Sequence, residues 1–151
     1  MDWNLELLYV GRTILALLCG GFIGFERERH GLEAGIRTYA AVAVGTCSFG
    51  LISAHVPLGA DITRIASGVV TGIGFIGAGV ILHEKGKAVG LTSAATIWAT
   101  SSVGLAISFG MYILGVLTSI VLFGLLALHD FPIYKKIIGK KADPAKTPSP
   151  D

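Results

Sequence analysis

Few residues in this chain could do chemistry, and they gather at a few places. The densest group is Glu26-Arg27-Glu28-Arg29-His30, with Glu33 and Arg37 close behind. Carboxylates at this density could offer hard oxygen ligands to a divalent cation, or neutralise the arginines beside them. Continued as a helix, the run sets Glu26/His30 and Arg29/Glu33 at i,i+4, where they can pair. A second group is Asp61 with Arg64, and a third is Arg12 alone. No His, Cys, Asp or Glu set has metal-ligand spacing, and the glycine-rich run lacks the GK[ST] of a phosphate loop. No nucleophile motif stands out either. The expectation is no catalytic residue, no metal site and no cofactor, so not an enzyme.

The elements that must position these groups follow from composition. Of 151 residues, 52% are hydrophobic and only 15% charged, against roughly 25% charged in soluble domains. Disorder over most of the chain is excluded by the same figures. A net charge of +2 argues against nucleic acid as a partner. Crossing a bilayer by helix takes about 20 apolar residues. Five windows qualify: Leu7–Phe25, Ile36–Val56, Ile65–Leu82, Leu91–Phe109 and Tyr112–Leu128. The reading is an all-α membrane protein, a bundle of five transmembrane helices over residues 1–130 with lipid as its first partner. Residues 131–151 form a basic, largely disordered tail, since Pro144, Pro148 and Pro150 forbid a regular helix.

Charge asymmetry orients the bundle. Arg27, Arg29, Arg37, Lys85, Lys87 and the lysines after Leu128 all fall on one side of five crossings, leaving Arg12 and Arg64 on the other. Basic loops stay in the cytoplasm, so the N-terminus is expected outside and the C-terminus inside. The first residues carry no positive charge ahead of the apolar stretch, so the first helix reads as a retained span rather than a signal peptide.

Polar and small residues at membrane depth carry the remaining information. Arg12 is expected either to snorkel to the headgroups or to pair with Glu6 or Asp61. Gly68, Gly72, Gly74, Gly77 and Gly79 fall within twelve residues of span three. With Gly20 and Gly24 of span one they suggest close packing, within the bundle or between copies; the alternative is a locally unwound helix lining a polar path. Thr92 or Ser93 is expected to cap span four. Thr96, Thr100, Ser101 and Ser102 extend a polar edge, which is weak evidence of a pore because such side chains can bond their own backbone. Trp98 lies mid-span, away from the interfaces. Cys19 and Cys47 read as small buried hydrophobes.

Four motifs in order resemble the MgtC/SapB family of bacterial inner-membrane proteins. They are Gly24-Phe25-Glu26-Arg27-Glu28, Gly35-Ile36-Arg37-Thr38, Gly72-Ile73-Gly74-Phe75-Ile76-Gly77-Ala78-Gly79, and Gly90-Leu91-Thr92-Ser93-Ala94-Ala95 ahead of Trp98. Asp61 and Arg64-Ile65 also fall where that family carries an Asp and an Arg-Ile pair. The resemblance covers about residues 5–128 and is to the short form without a soluble C-terminal domain. It implies a five-helix domain in the inner membrane, linked to adaptation to magnesium limitation and other stress. It also implies a regulatory role on membrane transport or energy-coupling proteins, and the small-residue helix faces suit contacts with a second copy, as a homo-oligomer, or with another membrane protein. The alternative is a small cation transporter or channel for Mg²⁺, with Glu26, Glu28 and Asp61 as candidate ligands. The functional candidates are therefore Glu26, Arg27, Glu28, Arg37, Asp61, Arg64, Arg12, Thr92 and Trp98.

Overall fold

A computed structural model describes residues 2–55, 61, 63–84 and 87–128. Helix α1 runs Trp3–Arg29, α2 Ile36–Ala54, α3 Thr63–Val80, α4 Leu91–Ser108 and α5 Tyr112–Ala127. All five expected apolar windows are helical at their centres. The end of the second window at Val56 and the whole 131–151 tail lie outside the described residues.

Local chemistry explains the helix ends. The Asp2 carboxylate accepts from the Asn4 N–H at 3.1 Å and starts α1. The helix then passes unbroken through Glu26–Arg29. It stops where Gly31 takes φ +68. The Leu32 N–H reaches back to the Arg27 carbonyl and the Gly31 N–H to the Glu28 carbonyl, closing a Schellman turn. Gly90, at φ +88, opens α4. A Cβ there would meet the Val80 carbonyl oxygen at 2.5 Å, so only glycine lets the end of α3 and the start of α4 approach so closely.

The expected end of span three needs one correction. Span three was expected to reach Leu82, but α3 ends at Val80, and Leu82–Glu84 (β1) pairs antiparallel with Lys87–Val89 (β2). The register Leu82↔Val89, His83↔Ala88, Glu84↔Lys87 leaves two residues between the strands, the length of a tight hairpin connection. Apolar residues alone did not decide the end of α3; strand pairing took Leu82.

Among the described residues three helices, α1, α2 and α3, are long and apolar enough to cross a membrane. Helix α5 is apolar but has 16 residues, and the 18 residues of α4 include seven hydroxyl side chains. The core is built by α1, α2, α4 and α5: Ala16, Ile23, Tyr39, Ala43, Cys47, Ile97, Val103 and Ile107 are almost wholly buried. Helix α4 is the central rod, whereas α3 is peripheral and buries only Ile73 and Gly77. Large apolar side chains face outward from the helices, Phe75 at 84% and Ile113 at 86% exposure. Apolar exposure on this scale marks a lipid- or partner-contacting surface.

Glycines set the distances between helices. A Cβ on Gly20 would stand 2.5 Å from the Tyr39 carbonyl oxygen, and one on Gly24 would stand 2.6 Å from Ile36 Cα. The expected small-residue seam of span one is thus real, and it faces α2. The α3 glycines behave differently. A methyl on Gly68, Gly72, Gly74 or Gly79 would meet nothing within 4 Å, and one on Gly77 would make only ordinary contact with Ala94. Close packing of those four inside the bundle is therefore not what the fold does. Nor is α3 unwound, since it is one continuous helix. Gly50, Gly104 and Gly115 pack closely without having been expected to. A Cβ on Gly104 would collide with Thr46 Oγ1 and the Ala43 carbonyl oxygen, and one on Gly50 would collide with the Ser108 side chain.

Candidate functional site

The ends of α1 and α5 and the starts of α2 and α4 meet at one end of the bundle. There the last turn of α1 turns Glu26 and Arg27 inward, and both are buried, at 4% and 9% exposure. Burying a charge is costly unless it is paired and hydrogen-bonded. The Arg27 Nη2 donates to Ser93 Oγ at 3.0 Å in the first turn of α4. The Glu26 Oε1 lies 3.1 Å from His30 Nδ1, the i,i+4 pair that helical spacing predicts. Between the two charges, Arg27 Nη1 and Glu26 Oε2 stand 3.9 Å apart, too far for a hydrogen bond. Glu26 Oε2 and Arg27 Nε are both buried and lack hydrogen-bond partners.

Behind this pair, the Tyr39 hydroxyl and Thr96 Oγ1 bond at 2.6 Å. Tyr39 is not among the sequence candidates. Its position in the first turn of α2, on the same face as Ala43, was the available signal. A cavity of about 440 Å³ opens beside the pair, lined by Glu26, Arg27, His30, Leu32 and Thr92, with Leu125, Leu126 and Leu128 as its apolar wall.

The neighbouring candidates have structural tasks. The Glu28 Oε2 accepts from the Ile36 N–H at 2.9 Å and caps α2, whose own N-cap residue, Gly35, has no side chain to do so. A carboxylate at a helix N-terminus also suits the helix dipole. Arg37 lies exposed in the first turn of α2. The second expected pair, Arg29 with Glu33, loses its register because α1 ends at Arg29. Neither Thr92 nor Ser93 caps α4. Its N-cap is Gly90, which makes no side-chain cap, and Ser93 instead serves Arg27. Thr92 is exposed at the cavity rim. The polar edge of α4 turns back on itself: Thr96 and Thr100 donate to carbonyls four residues earlier, and Ser101 and Ser102 to carbonyls three earlier. Trp98 is half exposed on the outer face of α4.

Arg12 sits at the opposite end. It neither snorkels freely nor meets Glu6 or Asp61. Its Nη1 donates to the Ser108 carbonyl at 2.6 Å and its Nε to the Tyr112 hydroxyl at 2.9 Å. Its guanidinium also lies 5.6 Å from the Tyr112 ring centroid. The last carbonyls of α4 lack intrahelical partners, and a cation satisfies them. Asp61 and Arg64 are at this end too, at the start of α3, one helix length from Glu26. The Asp61 carboxylate accepts from the Thr63 N–H at 2.8 Å and from its hydroxyl. The hydroxyl bond, then the N–H bond, hold the Asp61 carboxyl below the ordinary aspartate range. An open groove of about 650 Å³ runs from Asp61 and Arg64 past Ser67 and Thr71 along α3. The structure therefore brings Glu26, Arg27 and Thr92 together and leaves Asp61, Arg64 and Arg12 apart from them. Among the described residues no group of three or more His, Cys, Asp or Glu could hold a metal ion.

A bundle of apolar helices, three of them among the described residues long enough to cross a bilayer, with large apolar side chains facing outward, is the architecture of a membrane protein. The sequence profile of the MgtC family matches residues 13–131, and the chain belongs to that family. Similar proteins include YhiD of Escherichia coli (strain K12), 42% identical over 120 residues, covering 74% of this chain and 56% of YhiD. Protein SrpB of Synechococcus elongatus is 37% identical over 141 residues, covering 83% of this chain and 76% of SrpB. Protein MgtC of Brucella abortus (strain 2308) is 46% identical over 97 residues, covering 64% of this chain and 40% of that protein. The chain thus spans about half the length of several relatives. No solved structure matches it.

Proposed function

We propose that the chain is a multi-pass inner-membrane protein. It crosses five times, with its N-terminus outside and its basic end in the cytoplasm. It acts without catalysis, as a regulator of membrane transport or energy coupling during magnesium limitation and related stress, by contacting another membrane protein or a second copy of itself. The link to magnesium rests on the family and on YhiD, which bears a provisional name as a magnesium transporter. The observation that carries the contact reading is the division among glycines. Gly20 and Gly24 of α1, Gly50 of α2 and Gly104 of α4 are closed against neighbouring helices, while Gly68, Gly72, Gly74 and Gly79 of α3 are open. Small residues in membrane helices offset their helix-propensity cost by letting another helix approach.

The second reading is a small cation transporter or channel. It is favoured by Glu26, which lines a cavity and whose Oε2 is buried without a hydrogen-bond partner. Mg²⁺ demands several oxygen ligands in near-octahedral array, and Asp61 is a helix length away from Glu26. Purified chain in liposomes separates the two readings. The regulator passes no Mg²⁺ above empty vesicles. A flux that falls in Glu26→Gln would establish the transporter instead.

A further inference from the structure

The cavity at the basic end has two unlike halves. One is ionic: Glu26 and Arg27, each more than nine-tenths buried, each holding an atom without a hydrogen-bond partner, Oε2 and Nε. The other is apolar, the Leu125, Leu126 and Leu128 wall at the end of α5. Of the other atoms of the ion pair, Arg27 Nη2 is engaged by Ser93 and Glu26 Oε1 by His30, while Arg27 Nη1 stands 3.9 Å from Glu26 Oε2. One acceptor and one donor are left without a hydrogen bond, on two neighbouring residues that line a cavity of about 440 Å³.

Charge logic narrows the occupant. A simple anion would satisfy Arg27 but face the Glu26 carboxylate. A simple cation would satisfy Glu26 but face the guanidinium. A group carrying both signs, with N–H donors on its cationic part and oxygens on its anionic part, satisfies both at once. An apolar body attached to it would lie along the leucines. We infer that this cavity binds a phosphoethanolamine zwitterion as the headgroup of a membrane phospholipid. The ammonium sits on Glu26, the phosphate oxygens on Arg27, and the start of the acyl chains on Leu125, Leu126 and Leu128. Oε2 and Nε are themselves screened from solvent, so seating the headgroup takes a turn of each side chain. The terminal torsion of a glutamate is broad enough to allow it. A choline headgroup has no N–H to donate to Oε2, and a glycerol headgroup has no cation, so the site discriminates among lipids. This inference rests on the reading of the bundle as lipid-embedded.

The test uses the full chain purified in detergent and titrated with ethanolamine, choline and glycerol phospholipids of identical acyl chains. Bound lipid is counted by native mass spectrometry. Ethanolamine lipid should be retained about tenfold over the others, and Glu26→Gln should erase that preference while retention of choline lipid stays the same. If Glu26→Gln fails to fold, Leu125→Trp fills the cavity from the exposed face of α5 and should erase it equally. Retention independent of headgroup overturns the inference, as does competition by free phosphoethanolamine at the same concentration as the lipid, which would make the ligand a soluble zwitterion. Alkaline extraction of membranes separates the two failures. A chain that washes off defeats the embedding and this site with it; a chain that stays embedded but does not discriminate defeats only the site.

Discussion

Replacing Gly24 by alanine should loosen the basic end, whereas the same change at Gly72 should not. A methyl on Gly24 would stand 2.6 Å from Ile36 Cα, 2.8 Å from the Gly35 carbonyl oxygen and 2.9 Å from the Ile36 nitrogen. Carbon atoms prefer about 3.5–4.0 Å, so α1 and α2 must part by roughly 1 Å, backbone against backbone. Overpacking of this kind costs about 1–3 kcal/mol. Alanine returns about 1 kcal/mol of helix propensity, which leaves a net loss of roughly 0–2 kcal/mol. For a chain of this size ~1 kcal/mol moves Tm by about 2–4 °C, so Gly24→Ala should lower it by up to about 8 °C in detergent. The separation also pulls Ile36 from Glu28 and should expose the start of α2 to proteolysis. At Gly72 a methyl meets nothing within 4 Å, so only the propensity gain remains and Tm should hold or rise by about 2–4 °C. Equal losses at both positions would refute the division of glycines into closed and open sets.

Glu28→Ala removes the side-chain cap on α2 and should cost about 0.5–2 kcal/mol, read as a lowered Tm, while Glu28→Gln keeps an acceptor and should lose less. Arg12→Lys retains the charge but cannot reproduce the fork that holds the Ser108 carbonyl and the Tyr112 hydroxyl together; amide exchange at the end of α4 and the start of α5 should quicken. Asp61 is accessible to a pH titration by nuclear magnetic resonance. Its folded pKa is depressed by Thr63, so its bonds to Thr63 are fully formed above the ordinary aspartate value of about 3.9 and are lost as pH falls through the lower folded value. Thr63→Ala should bring the midpoint back up.

The readable parts of this fold are the local ones. Five apolar windows become five helices because each window is set by its own residues. Glu26 and His30 meet because four positions along one helix fix their neighbourhood, and Gly20 and Gly24 announce their seam by the same spacing. Partners distant in the chain are not legible. Arg27 finds Ser93 sixty-six positions away, and Ser93 resembles a helix cap in sequence because its place in the first turn fits either role. Carboxylates are the commonest partners for an arginine such as Arg12, but the unpaired carbonyls at the end of α4 take it instead. Gly104 and Ser108 stand four residues apart on α4, and that small-residue spacing was the signal for the tight contact with α2. The openness of the α3 glycines depends on which helix stands opposite, and no periodicity within α3 carries that. The short strand pair after α3 has a Lys-Gly connection rather than the Asn-Gly or Asp-Gly that would have announced it.

The contact reading of α3 is tested most directly by a photo-crosslinking side chain at Phe75, exposed on the same helix as the open glycines, in cells starved of magnesium. The expected result is a discrete protein adduct, either a second copy or one other membrane protein, that disappears in Gly72→Leu while the abundance of the chain is unchanged. Labelling of lipid alone at Phe75, matching a control at Trp98, would contradict it.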